Sequence, residues 1–268
     1  MIAFPNAKIN LGLHITARRP DGYHDIESCF YPVNWCDALE IVPATQFSFT
    51  SSGIEIPHSD KGNLCIQAYE LLREDFDLQP VRMHLHKHIP IGAGLGGGSA
   101  DCAFALKLLN QIFNLQLSVS QLEDYAAKLG SDCPFFINNQ PVYASETGTT
   151  FSPVDLDLSN YHLQVIYPGI HISTGEAYGA IQPTRADHDI REVLRNIPIE
   201  EWNEHLKNDF EAPLFERYEA LSQVREKLYQ HGAIYASMTG SGSAVYGIFD
   251  IPTTPLFPEH PHFIGKLA

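Results

Sequence analysis

The sequence predicts an α+β protein that divides near residue 155, and three observations lead there. Ala7, Ile9, Leu11, Leu13 and Ile15 alternate with Lys8, Asn10, Gly12, His14 and Thr16, the period of a half-buried strand with Lys8 and Asn10 on its polar face. Five glycines crowd residues 92–98 and lead straight into an apolar, helix-forming run. Beyond a polar connector, Pro153–Asn160, a strand at His162–Tyr167 precedes helical stretches near Ile190–Leu206 and Glu211–Gln230 and a strand at Ala244–Phe249. That mixture of strands and helices defines the class. Residues 1–154 form the first domain, and 155–268 form the second.

The remaining elements follow in order. Arg18-Arg19-Pro20-Asp21-Gly22 is a turn cluster. Cys29–Val33, Leu39–Val42 and Phe47–Thr50 are short strand-like runs. Asn63–Leu72 reads as a helix with Leu64, Ala68, Leu71 and Leu72 on its apolar side, and Val81, Met83 and Leu85 mark another strand. Ser99 is placed to cap a helix carrying Ala100, Ala103, Phe104, Leu106, Leu108 and Leu109. Ser120 with Glu123 spells a capping box whose helix runs to Gly130. Val142–Ser145 and Thr149–Phe151 read as strands, and Pro252–Pro261 as an irregular tail. No internal repeat is present.

Composition narrows the function. With 44% hydrophobic and 18% charged residues, the 268-residue chain is globular and long enough for a large core. A formal charge of −15 argues against nucleic acid or an anionic membrane as partner. An acidic chain that binds phosphate must gather its few cations at the site, which draws attention to Lys8, Arg18, Arg19 and Lys87. The five cysteines form no CxxC pair, as expected of reduced thiols in a reducing compartment. With neither a signal-like N-terminus nor a spanning segment, a cytoplasmic location is expected.

The glycines carry the chemistry. Glycine costs backbone entropy on folding, so a cluster needs a reason. A chain that presents bare N–H groups to an anion supplies one, and a glycine loop opening a helix adds the positive end of the helix dipole. Pro90-Ile91-Gly92-Ala93-Gly94-Leu95-Gly96-Gly97-Gly98-Ser99 therefore reads as a nucleotide-phosphate loop. It is not a P-loop, because no lysine follows the glycines. A formal GxGxxG occurs at Gly92, Gly94 and Gly97. The dinucleotide reading is weakened by Pro90, by the alternation of Val81–Ile89, and by the lack of an acid about 20 residues on, and stays a rival.

Two further segments are small-residue turns. Leu129-Gly130-Ser131-Asp132-Cys133-Pro134-Phe135-Phe136 aims an aspartate from a turn, and Met238-Thr239-Gly240-Ser241-Gly242-Ser243-Ala244 starts a strand. Together with Pro5-Asn6-Ala7-Lys8-Ile9-Asn10-Leu11 and the glycine loop, they resemble the GHMP kinase superfamily. Ala7-Lys8-Ile9-Asn10-Leu11, Asp21-Gly22-Tyr23-His24, the triple glycine Gly96–Gly98, Gly130-Ser131-Asp132-Cys133-Pro134-Phe135 and Tyr167-Pro168-Gly169 narrow the resemblance to its branch acting on a cytidine diphosphate-linked methylerythritol.

The resemblance implies a ribosomal protein S5 domain 2-like N-terminal domain and a ferredoxin-like C-terminal domain. It implies transfer of the ATP γ-phosphoryl to an alcohol, with Mg²⁺. Asp132 would orient or accept the hydroxyl proton, and Lys8 would favour a developing alkoxide. The stretch Pro90, Gly92, Ala93, Gly94, Leu95, Gly96, Gly97, Gly98 and Ser99 would hold the ATP phosphates, with Asn63, Leu64 and Lys87 around adenine. Asn10, Tyr23, His24, Phe30, Thr174, Tyr178, Gly240 and Ser241 would meet the cytidine diphosphate substrate. For Phe30 and Tyr178, ordinary core packing is an equal alternative. Asp101 suits either magnesium or the helix dipole, so the metal ligands stay unassigned. Oligomeric state is not legible. The other rival readings are another GHMP small-molecule kinase and a non-catalytic protein of the same fold. His84, His86 and His88 share one strand face, which reads as solvent-facing rather than as a zinc site.

Overall fold

A computed structural model describes residues 1–57, 62–184 and 188–267. Its strands are β1 (Ile2–Ala3), β2 (Asn6–Arg18), β3 (His24–Cys36), β4 (Ala38–Pro43), β5 (Ser48–Gly53), β6 (Val81–Lys87), β7 (Val142–Ser145), β8 (Thr150–Pro153), β9 (His162–Ile166), β10 (Tyr235–Met238), β11 (Val245–Phe249) and β12 (His262–Lys266). Its helices are α1 (Leu64–Asp75), α2 (Gly97–Ile112), α3 (Val119–Ala127), α4 (Phe135–Asn138), α5 (Thr174–Gly179), α6 (Ile190–Asn196), α7 (Trp202–His205), α8 (Glu211–Arg217) and α9 (Glu219–Gln230), with a 3-10 turn at Ile199–Glu201. These form two compact units interleaved in sequence. The first comprises residues 1–7, 35–91 and 96–140, and the second 8–34, 92–95 and 141–268.

In the first unit one sheet runs β1-β4-β6-β5, with β4 antiparallel and β5 parallel to β6. Val81, Met83 and Leu85 point into the core from β6, while Arg82 and His86 face water, as the alternation requires. Helices α1 to α4 belong to the same unit.

The second unit holds two sheets, β2-β3-β7-β8 and β10-β11-β9-β12. Strand β2 differs from expectation: Asn6 to Ile15 are all buried, so Lys8 and Asn10 do not lie on a solvated face. The cause is that residues from beyond position 190 cover that face. A Cβ on Gly12 would stand 3.2 Å from Ile190 and 3.3 Å from Leu206. The backbone of Leu13 also pairs with Lys207 and Asp209.

Four local expectations need correction. The capping box is Ser118 with Gln121, two residues upstream of Ser120 and Glu123, because Ser118 has the extended backbone a cap requires. Ser99 lies inside α2, whose cap is Gly96 in the left-handed conformation at φ 71. The helix sought over Ile190–Leu206 stops at Asn196, since Ile197 precedes Pro198 and is extended. The one sought over Glu211–Gln230 breaks at Tyr218, with φ −127 and ψ 79. In addition, the chain beyond the irregular Pro-rich segment forms β12, which lengthens the sheet by pairing with β9. No described helix is long and apolar enough to cross a membrane.

Candidate active site

In the first unit the groups of interest gather at the start of α2. Gly96 offers no side-chain cap, so the N–H groups of Gly97, Gly98 and Ser99 are left for an outside acceptor. Gly98 is exposed, and a Cβ there would meet nothing within 4 Å. Gly97 is buried, and its Cβ would stand 2.9 Å from Ile89 Cγ2 and 3.0 Å from Lys87 Nζ. Pro90, just before the loop, is buried. Asn63 caps α1 by accepting from Cys65 N–H at 2.8 Å, and Leu64 beside it is half-buried.

Lys87, at the end of β6, is 3% exposed. Its ammonium donates to Asp37, and to Asp101 Oδ2 at 2.7 Å. Burial alone would lower the Lys87 pKa, but the two carboxylates outweigh it and raise it. Asp132 is half-buried on the turn before α4. Its neighbour Cys133 is held by Cys102 and Ser99 of α2, and the hydrogen bond from Cys102 pulls the Cys133 thiol below its ordinary range. Asp132 is therefore carried by a turn tied to the glycine helix.

In the second unit the centre is Lys8, also 3% exposed. Its Nζ donates to Asn10 Oδ1 at 2.6 Å and lies 4.9 Å above the Phe30 ring, while its backbone N–H donates to Leu95 O at 2.9 Å. Asn10 Nδ2 donates to Ser28 Oγ at 2.9 Å, and Ser28 donates to Gly12 O at 2.6 Å. The Thr239 hydroxyl accepts from Asn10 N–H at 3.1 Å and reaches Gly94 O at 3.2 Å. A Cβ on Gly94 would fall 2.0 Å from Thr239 O, so only glycine permits this approach. Ala93 O accepts from Ala244 N–H, and Gly240 packs on Gly94 with Ser241 half-exposed beside it. Gly92, at φ 67, is exposed near His171.

The aromatic candidates diverge. His24 and Tyr178 stack with ring centroids 4.7 Å apart, and Tyr178 meets Phe210 edge-on at 5.0 Å. Thr174 is exposed at the start of α5, and Tyr23 is 68% exposed. Phe30 is 1% exposed and packs against Phe151, the core alternative anticipated for it. His84 and His86 bond Thr50 and Ser52 on the outer face of β5 and β6. His88 lies past the end of β6 and meets Trp35 edge-on. Among the described residues no cluster of three metal-ligating side chains exists. Sequence reasoning missed Ser28, Asp37, Thr239 and Asn208. Asn208 Nδ2 donates to Met238 O and Gly240 O, fixing the small-residue turn. Such residues carry no local signal, because their partners lie on other elements, from 16 residues away for Ser28 to 229 for Thr239.

A fold of this class, with a glycine loop opening a helix and a buried lysine, is that of a small-molecule kinase. Residues 63–140 match the family model "GHMP kinases N terminal domain", and residues 185–254 match "GHMP kinases C terminal". The chain belongs to the GHMP kinase family. More particularly, it is 52% identical to the 4-diphosphocytidyl-2-C-methyl-D-erythritol kinase of Azobacteroides pseudotrichonymphae, over 96% of each chain. It is also 52% identical to the kinase of that name from Cytophaga hutchinsonii, over 93% of each chain. A crystal structure of 4-(cytidine 5'-diphospho)-2C-methyl-D-erythritol kinase superposes with a TM-score of 0.80 at 31% identity, covering 94% of this chain and 91% of that one. The two-domain α+β architecture is thus the family's.

Proposed function

We propose that the protein phosphorylates the 2-hydroxyl of 4-diphosphocytidyl-2-C-methyl-D-erythritol with ATP, as a cytoplasmic enzyme of non-mevalonate isoprenoid biosynthesis. The substrate choice is supported by the names of the full-length relatives. The observation that carries the kinase reading is the buried Lys8, whose ammonium donates to Asn10 Oδ1 and whose backbone N–H donates to Leu95 O, with Asn10 in turn tied to Thr239. A cation fixed there requires no reorganisation to stabilise charge developing on an oxygen.

Phosphoryl transfer asks a protein mainly for positioning and charge stabilisation. The free N–H groups at the start of α2 would hold ATP phosphates, with the glycine-loop backbone approaching closely. Asn63, Leu64 and the Lys87 region would border adenine. Asp132 would orient and accept the hydroxyl proton, and Lys8 would favour the alkoxide. The His24–Tyr178 stack would receive the cytosine, with Asn10, Tyr23, Thr174, Gly240 and Ser241 along the diphosphocytidyl chain. Phe30 would act through Lys8, as the surface beneath it. Mg²⁺ is expected to accompany ATP. No protein ligand is assigned to it, because Asp101, the acid following the loop, is turned into Lys87. The division at 154/155 is retained as the boundary between an ATP-binding and a C-terminal domain.

The test is ADP release across a panel of alcohols. Magnesium-dependent turnover of the cytidine compound, with little of mevalonate, homoserine or galactose, is expected. Turnover of mevalonate with none of the cytidine compound would reject the assignment.

A further inference from the structure

Asp37, Lys87 and Asp101 form a buried cluster of two carboxylates around one ammonium, directly beneath the first turn of α2. Asp37 is fully satisfied: one oxygen accepts from Lys87, and the other from His88 N–H at 2.6 Å and Ile89 N–H at 2.8 Å. Asp101 is not. Its Oδ2 takes Lys87, but its Oδ1 is buried with no hydrogen-bond partner among the described residues. With both acids ionised, the cluster carries a net negative charge in a dry site, against the helix end proposed to bind phosphates. One proton on Asp101 makes it neutral.

We propose that Asp101 is a positioning residue whose proton sets ATP affinity: protonated, it leaves the cluster neutral under the phosphate-binding turn, and ionised, it opposes the triphosphate. The inference rests on the reading that α2 begins at an ATP phosphate site. The groups that face Asp101 are Lys87 from β6, Asp37 from the junction before β4, Cys65 from α1 and Cys102 from α2 itself. Both thiols lie well above their ordinary range, Cys65 through burial and Cys102 through its hydrogen bond to Cys133, so neither contributes charge near neutrality. Burial, opposed by Lys87 and reinforced by Asp37, pushes Asp101 up to about 8. The sign follows: affinity for ATP is full below that value and falls as pH rises through it. By reciprocity, ATP binding near pH 8 draws a proton onto the protein.

The experiment is calorimetry of a non-hydrolysable ATP analogue with magnesium, from pH 6.5 to 9. For the native protein the affinity falls about three- to tenfold, the scale of one screened charge interaction. The same titration at pH 8, in buffers of different ionisation enthalpy, shows proton uptake. D101N removes both effects while leaving the acceptor KM unchanged, a split that loss of packing would not produce. Parallel pH profiles for the native protein and D101N would overturn the proposal. So would the lack of proton uptake by the native protein, which decides the matter should D101N fail to fold. Absence of any nucleotide binding would overturn the kinase reading as well, whereas binding with a flat profile overturns only this inference.

Discussion

Replacing Asp132 by asparagine keeps size and shape but removes the charge and most of the proton affinity. If this carboxylate takes the hydroxyl proton, turnover falls by about 10²–10⁴-fold. Substrate dissociation constants change far less, because the loss is felt in the transition state. A nearly active D132N enzyme would leave positioning and charge stabilisation to do the catalysis. Tyr178→Ala probes a different step. A lost base stack is worth about 1–3 kcal/mol, so the Michaelis constant for the cytidine substrate should rise while that for ATP stays put. An effect confined to ATP would move this ring to the other nucleotide. No effect at all would return Tyr178 to a packing role against Phe210.

At the scale of the element, the glycines of α2 separate packing from ligand approach. A Cβ on Gly97 runs into Ile89 and the Lys87 ammonium, so Gly97→Val disturbs the fold as well as the loop, by about 1–3 kcal/mol of overpacking. Gly98 faces open space. Gly98→Val should therefore melt near the native temperature yet raise the ATP Michaelis constant about tenfold or more, because the side chain stands where phosphate must approach. Unchanged ATP kinetics in Gly98→Val would remove this turn from the phosphate site. The glycine loop, β6 and α1 were legible from sequence because their patterns are local: a glycine run, an alternation and an apolar helix face. The helix breaks at Ile197 and Tyr218 were less so, since apolar spacing persists through them. The burial of Lys8 and Asn10 was hidden for another reason. A strand covered on both faces looks half-buried when its polar residues are satisfied internally by Ser28 on the next strand and by Thr239, far off in sequence.

The whole molecule poses a question of folding units. The boundary proposed at 154/155 lies between the stretches matched by the two family models, residues 63–140 and 185–254, whereas the compact second unit draws residues from both sides of it. Strand β2 is stitched to the C-terminal half throughout: Leu13 N–H donates to Lys207 O at 2.8 Å, and Ile15 N–H to Asp209 Oδ2 at 2.8 Å. Thr184 N–H donates to Ile15 O at 3.1 Å, and the Tyr246 hydroxyl donates to Asn10 O at 2.7 Å. A fragment of residues 155–268 would lose these four hydrogen bonds to β2, each worth about 0.5–1.5 kcal/mol net once the freed groups are hydrated. It would also uncover the apolar face that Ile190 and Leu206 present to Gly12. Together these losses are a large fraction of the whole stability of an ordinary domain. The fragment expressed alone should lack near-ultraviolet circular dichroism and a cooperative melt. Mixing it with residues 1–154 should restore both, because the missing strand is then supplied in trans. A fragment 155–268 that melts cooperatively by itself would show that the C-terminal half is a self-sufficient folding unit and that β2 only decorates it.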